Sequence, residues 1–156
     1  MGVAVFHRIG DEGEYTNPIQ QILDYEGIIT FDGAYKSVYE YRFELGPKNP
    51  ILFVQADTVG TPGVCTWEEI GELARLGFTL GWHGRSHRKL PDLPDHAVIR
   101  ELTPSGPEFK LYAYPHGNWD ARVAKIVKDM GYLRAYSTTQ GEDGNDYAII
   151  REYLPN

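Results

Sequence analysis

The chain of 156 residues is poor in cysteine, in clustered positive charge and in long apolar runs. Its single cysteine, Cys65, excludes an intramolecular disulfide. The formal net charge is −7 and no block of lysine and arginine is present, which argues against a nucleic-acid-binding surface. No stretch approaches the roughly 20 apolar residues that a membrane span needs. These absences predict a globular protein that does not bind nucleic acid and does not span a membrane.

The N-terminus has a short apolar segment with no basic region before it. Such a segment is typical of a strand and not of a signal peptide. The sequence as it stands therefore predicts a cytoplasmic protein, unless an export signal has been trimmed from the chain. The length suffices to bury a core without disulfides or a structural metal, and we expect one domain over residues 1–156.

Short apolar runs alternate with helical patterns along the chain, which is typical of βα units around a mainly parallel sheet or barrel. Seven strands are predicted, at Val3 to His7, Gly27 to Phe31, Pro50 to Gln55, Gly77 to Trp82, Phe109 to Tyr114, Leu133 to Ser137 and Tyr147 to Arg151. Helices are predicted at Pro18 to Tyr25, Lys36 to Leu45, Thr66 to Leu76, Asp95 to Leu102 and Asn118 to Met130. The pattern Thr66-Trp-Glu-Glu69 predicts a capping box at the start of the third of these helices.

Polar side chains follow several of the predicted strands at their carboxyl ends. His7 ends the first strand, Asp32 the second and His83 the fourth, and His116 follows the fifth. Ligand sites in parallel α/β folds lie at this rim, so we expect these side chains to meet there.

Two histidines in the segment Gly81-Trp-His-Gly-Arg-Ser-His87 are four residues apart. Neutral imidazole is the commonest protein ligand for a divalent metal, and this spacing allows two nitrogens to approach one ion. His83 and His87 are therefore candidate metal ligands.

Three segments resemble the motifs of the polysaccharide deacetylases, the NodB-like carbohydrate esterases. Thr30-Phe-Asp-Gly-Ala-Tyr35 resembles their TFDDGY motif, His83-Gly-Arg-Ser-His87 their HxxSH motif, and Tyr112-Ala-Tyr-Pro-His-Gly117 their FAYPYG motif. The order and spacing also agree. The resemblance implies a distorted (β/α) barrel with about seven strands.

The resemblance also implies a function. Family members use a divalent metal, usually zinc, to remove acetyl groups from N- or O-acetylated sugars, so an acetylated carbohydrate is the expected partner. By position, His83 and His87 become metal ligands, Asp32 the general base, and the backbone amide of His116 a donor to the tetrahedral oxyanion.

The segment Phe6-His-Arg-Ile9 resembles the YHRI opening of a branch related to the circularly permuted poly-N-acetylglucosamine deacetylases. In that branch an early histidine is the general acid, which makes His7 the candidate here.

Gly33 stands where the family has its metal-binding aspartate, and glycine has no side chain with which to ligate. Three alternatives follow: Asp32 could itself bind the metal, Asp57 could approach from the third strand, or no metal binds tightly. The first two predict a metal-dependent deacetylase. The last predicts a degenerate relative that binds carbohydrate without hydrolysing it.

Overall fold

The structure, a computed structural model, describes residues 1–106 and 108–155. Within them it contains eight strands: β1 (Val3–Phe6), β2 (Arg8–Ile9), β3 (Thr16–Asn17), β4 (Ile28–Asp32), β5 (Ile51–Val54), β6 (Thr79–Trp82), β7 (Leu111–Ala113) and β8 (Arg134–Tyr136). Six of them form a curled parallel sheet in the order β1-β4-β5-β6-β7-β8. Strands β2 and β3 pair separately, also in parallel. The predicted α/β distorted barrel is confirmed.

The predicted seventh strand, Tyr147 to Arg151, is wrong as a regular strand. The segment 146–152 nevertheless lies between the two edges of the sheet, because Ile149 bridges to β8 and Glu152 bridges to β1. Ser137 N donates to Ile149 O at 2.8 Å, and Val5 N donates to Glu152 O at 3.0 Å. Each neighbour is contacted at a single bridge, so no continuous ladder forms, yet the segment links β8 to β1 as a strand of the barrel would.

In the described part of the chain, six α-helices accompany the sheet: α1 (Ile19–Leu23), α2 (Lys36–Glu40), α3 (Arg42–Leu45), α4 (Trp67–Arg75), α5 (Asp95–Leu102) and α6 (Ala121–Asp129). The capping box of α4 is confirmed, since Glu69 N donates to the Thr66 hydroxyl at 3.2 Å and Thr66 N donates to the Glu69 carboxylate at 2.9 Å. The predicted helix from Lys36 to Leu45 is two helices that break at Tyr41. Of the helices in the described part of the chain, none is long and apolar enough to cross a membrane.

Two main groups of buried side chains surround the sheet. One packs α1 to α4 against β1, β4 and β5, and the other packs α5 and α6 against β6 to β8. All four residues of β5 are buried, as expected for a strand covered on both sides. This packing holds the carboxyl ends of β1, β4, β6 and β7 at one rim.

Candidate active site

The five predicted site residues lie together at this rim. His7 follows β1, Asp32 ends β4, His83 follows β6 and His116 follows β7, while His87 lies four residues beyond His83. All five line one cleft of about 540 Å³. The expectation that polar strand ends would meet at one edge is therefore confirmed.

Asp32 is held by a buried arginine, Arg151, which ends the predicted seventh strand. Arg151 donates through Nη1 to Asp32 Oδ1 at 2.6 Å and through Nη2 to Oδ2 at 2.8 Å. Its Nε also donates to the Ser137 carbonyl at 2.6 Å. Both side chains are buried. This bidentate pair fixes the orientation of the carboxylate.

The pKa of Asp32 reflects two opposing effects. Burial alone would raise it, but the charge and hydrogen bonds of Arg151 bring the pKa well below its usual value. Asp32 therefore remains a carboxylate at every pH at which the protein would ordinarily work.

His83 is buried beside Asp32, with its Nε2 3.9 Å from Asp32 Oδ2. Its Nδ1 lies 2.7 Å from the Ala113 carbonyl. A carbonyl can only accept, so Nδ1 carries the proton and Nε2 keeps a lone pair. Burial lowers the pKa of His83, against the opposing charge of Asp32, which favours neutral imidazole. A ligand histidine needs this protonation state and this kind of hydrogen bond.

The loop that carries His87 is fixed from two sides. His83 N donates to the Val54 carbonyl at 2.8 Å, and the Ser86 hydroxyl donates to a carboxylate oxygen of Glu101 at 2.5 Å. Glu101 is buried on α5, and the sequence offered no signal for this role. His87 takes a left-handed backbone conformation, with φ of 59°. The loop thereby brings the two imidazoles to a centroid distance of 4.8 Å.

The side chain of His116 also enters this group, which the motif comparison did not predict. Its ring centroid lies 4.5 Å from that of His87. Burial, followed by the neighbouring His83 and His116, lowers the pKa of His87 to about 4. The backbone of His116 has φ of 58° and ψ of 11°, so the tight turn presents its ring to the cleft.

The residues fit only part of the metal site that the motifs imply. His83 and His87 are neutral and adjacent, as two zinc ligands should be. However, no group of three His, Cys, Asp or Glu side chains among residues 1–106 and 108–155 is arranged to hold a metal ion. Both oxygens of Asp32 accept hydrogen bonds from Arg151, so the first alternative, in which Asp32 itself binds the metal, would require the carboxylate to be shared between the arginine and the ion.

The other proposed ligand positions do not supply the missing carboxylate. Asp57 is exposed in a 3-10 turn and is not one of the described residues that line the cleft. Gly33 has φ of +84°, and a Cβ built there would lie 2.9 Å from Cε2 of Tyr35. The turn is therefore shaped around glycine.

Three further residues close to the site in sequence have structural roles or border the cleft. The Trp82 indole is buried and donates to the Glu101 carbonyl at 2.8 Å, and Arg85 donates to the Arg100 carbonyl at 3.1 Å. Tyr35 lines the cleft.

Comparison with known families decides the relationship. The family model for polysaccharide deacetylase matches residues 27–135. The chain belongs to the polysaccharide deacetylase family. This membership makes it a carbohydrate esterase of the class that acts on amide bonds, and the recognition from the three motifs is confirmed.

Several solved structures share the fold. The Streptococcus pyogenes deacetylase PplD, in complex with acetate, is 14% identical with a TM-score of 0.83, over 99% of this chain and 92% of that one. IcaB from Ammonifex degensii is 17% identical with a TM-score of 0.77, over 99% and 91%. A de-N-acetylase from Aggregatibacter actinomycetemcomitans is 16% identical with a TM-score of 0.75, over 97% and 93%.

A short segment also resembles an unrelated protein. Over 42 residues the chain is 40% identical to small ribosomal subunit protein uS8 of Saccharopolyspora erythraea, which covers 27% of this chain and 32% of that protein. The match spans about a third of the ribosomal protein, so it does not bear on the family of the whole chain.

Proposed function

We propose that the protein removes acetyl groups from an N- or O-acetylated sugar or polysaccharide. The observation that supports this most strongly is the convergence of His7, Asp32, His83, His87 and His116 in one cleft of a polysaccharide deacetylase fold. Core packing alone does not call for four imidazoles and a carboxylate at one rim.

The proposed reaction assigns a proton transfer to each of two groups. Asp32 accepts a proton from a water molecule as the water oxygen attacks the acetyl carbonyl carbon. His7 then donates a proton to the sugar nitrogen, or oxygen for an O-acetyl group, as its bond to the acetyl carbon breaks. Burial lowers the pKa of His7, and the charge of Asp32 partly offsets this effect. A protonated His7 is consequently a stronger acid than free imidazolium, and the products are acetate and the deacetylated sugar.

The oxyanion of the tetrahedral intermediate needs a donor near the attacked carbon. We assign this role to the backbone N–H of His116, in the tight turn after β7. Arg151 positions the proposed base, because its two hydrogen bonds leave the Asp32 carboxylate one orientation.

A second function is favoured by a specific observation. Gly33 has no side chain that could bind a metal, and Arg151 is hydrogen-bonded to the Asp32 carboxylate. The alternative is therefore a protein that binds acetylated carbohydrate without cleaving it. The discriminating experiment incubates the protein with an N-acetylglucosamine oligomer, with and without added zinc, and measures free acetate. Acetate release supports the deacetylase. Binding of the oligomer without acetate under both conditions supports the alternative.

Metal binding is a separate prediction. By family resemblance the expected ion is zinc, and we propose that His83 and His87 are its protein ligands. Substituting His83→Ala should lower zinc affinity at least tenfold in equilibrium dialysis, because one of two imidazole donors is lost. His96→Ala is the matched control, since His96 is exposed and lies on α5. Equal zinc binding by the wild type and His83→Ala would place the ion elsewhere, and circular dichroism should show both variants folded.

A further inference from the structure

The proposed zinc site has two protein ligands and needs a third. A catalytic zinc ion takes three protein ligands and keeps its fourth position open for water. His83 and His87 supply two of them. Gly33 has no side chain, and both oxygens of Asp32 already accept hydrogen bonds from Arg151. A further donor from the cleft is therefore required.

The ring of His116 lies at the right distance to be that donor. Its centroid is 4.5 Å from that of His87, which in turn is 4.8 Å from that of His83. Two imidazoles on one tetrahedral zinc ion have centroids about 5 Å apart, because each bound nitrogen lies about 2.0–2.1 Å from the ion. The ring planes are inclined by 57° and 68°, so neither pair is stacked. The spacing is that of a three-histidine site with His87 in the middle.

The other two histidines of the chain are placed for different roles. The chain has five histidines in all. The ring of His7 contacts that of Tyr15 at 5.1 Å and is stacked on that of Tyr153 at 6.4 Å. His96 is exposed on α5 and is not part of the described lining of the cleft. His116 is thus the one histidine left whose ring adjoins the His83 and His87 pair.

The backbone of His116 is fixed, whereas its ring is free to turn. Gln140 Nε2 donates to the His116 carbonyl at 3.1 Å, and Gly117 N donates to the Tyr114 carbonyl at 2.9 Å. The side chain of His116 is exposed, so it can rotate about its own bonds without moving the chain. A rotation is needed, because no three potential ligand side chains are arranged to hold an ion as the described residues stand.

Both neighbouring rings are presented from an uncommon backbone conformation. Four of the described residues other than glycine have positive φ, and two of them are His87 at 59° and His116 at 58°. This region is disfavoured for residues with a side chain. Such strain concentrates where side chains serve a ligand. Two strained residues whose rings contact each other indicate one ligand that both bind.

We propose that His116 is the third protein ligand of the zinc ion, in place of the carboxylate that is missing at position 33. The three ligands are then neutral imidazoles, a set that suits zinc better than magnesium or manganese, which favour carboxylate oxygens. Asp32 stays outside the ligand set, with its Oδ2 3.9 Å from His83 Nε2. The inference extends the metal binding of the proposed function and does not depend on hydrolysis.

The test observes each imidazole directly. Zinc is titrated into protein labelled with ¹⁵N, and long-range ¹H–¹⁵N NMR spectra record the ring nitrogens of the five histidines, assigned by single variants. We expect the signals of His83, His87 and His116 to shift as zinc binds, and those of His96 to stay in place. An unmoved His116 ring at saturating zinc, or a wild type that binds no zinc, would overturn the proposal.

Zinc affinity provides the second measurement. His116→Tyr keeps the backbone N–H and introduces the aromatic residue that the family motif has at this position. In equilibrium dialysis its zinc affinity should be lower than that of the wild type by about tenfold or more, because one ligand is lost. The matched control, His96→Ala, should bind zinc as the wild type does. An affinity of His116→Tyr within about threefold of the wild type would contradict the assignment.

A second variant covers a failure of the first to fold. Asparagine tolerates the left-handed backbone conformation, so His116→Asn should retain the turn and show the same loss of zinc affinity. Circular dichroism checks that both variants are folded.

The outcome is distinguishable from that of the deacetylase proposal. Zinc held by three histidines in a protein that releases no acetate would support the ligand set while the deacetylase proposal fails. Acetate release by a protein whose His116 ring does not respond to zinc would support the deacetylase and overturn the ligand set.

Discussion

Replacing Arg151 by methionine is expected to lower the free energy of unfolding by about 3–5 kcal/mol. Arg151 is fully buried and its guanidinium forms two hydrogen bonds with the buried Asp32 carboxylate. Methionine fills much of the same volume but leaves that negative charge without its partner. Removing one member of a buried ion pair is costly for this reason. Urea denaturation at pH 7, followed by circular dichroism, measures the loss.

An exposed pair provides the control. Lys125 Nζ lies 2.6 Å from Asp129 Oδ2 on the surface of α6. Lys125→Met should leave the free energy of unfolding essentially unchanged, because water screens this exposed pair. A loss below about 1 kcal/mol in Arg151→Met would show that the carboxylate is satisfied without the arginine.

The pH dependence of stability provides a second measurement on the same variant. The folded-state pKa of Asp32 lies well below its unfolded value in the wild type, so its contribution is present above about pH 4 and is lost as the pH falls further. Without Arg151, burial should raise the folded pKa above the unfolded value. The pH dependence of the Asp32 contribution then reverses: its contribution to the free energy of unfolding decreases as the pH rises from about 4. Unfolding curves at several pH values distinguish the two slopes.

The fold was largely predictable because its determinants are local. Each strand of the sheet is a short apolar run, and the structure places all six within a residue or two of their predicted bounds. The capping box at Thr66 predicted the start of α4 for the same reason. The seventh strand could not be predicted correctly, because the pairing of Ile149 and Glu152 with different neighbours depends on the curvature of the whole sheet.

The sequence indicated which side chains lie in the candidate site, but it did not indicate which of them form hydrogen bonds with each other. Motif positions indicated which side chains lie at strand ends, and all five line the cleft. The ion pair of Asp32 and Arg151 joins residues 119 positions apart, and no local pattern indicates it. An arginine that ends an apolar run was the one signal available. The bond between Ser86 and Glu101 is hidden in the same way, because only the packing of α5 beside the loop creates it.

The residue at position 33 determines how many carboxylates the candidate site has for metal binding and proton transfer. A family member with aspartate at this position has a carboxylate for the metal and a second carboxylate for the proton. Here position 33 is glycine, and among the described residues that line the cleft Asp32 is the one acidic side chain. Because Arg151 holds that side chain, the geometry favours its use as the base.

Substituting Asp32→Asn is therefore expected to lower the rate of acetate release by about 10²- to 10⁴-fold, the usual contribution of a general base. Asparagine retains the size of the side chain but cannot accept the proton from water. Asp57→Asn is the matched control and should retain the wild-type rate, because Asp57 is exposed and is absent from the described lining of the cleft. The rate of acetate release from an N-acetylglucosamine oligomer is the measurement.

Arg151→Met separates this chemical role from a general loss of stability. Both variants break the same buried pair, so both should unfold more readily, but only Asp32→Asn removes the carboxylate. Loss of the arginine raises the pKa of Asp32, so the acid limb of the kcat/KM profile should move to higher pH in Arg151→Met while activity persists above it. If folded Asp32→Asn retains a rate within tenfold of the wild type, another group takes the proton and Asp32 serves only to neutralise Arg151.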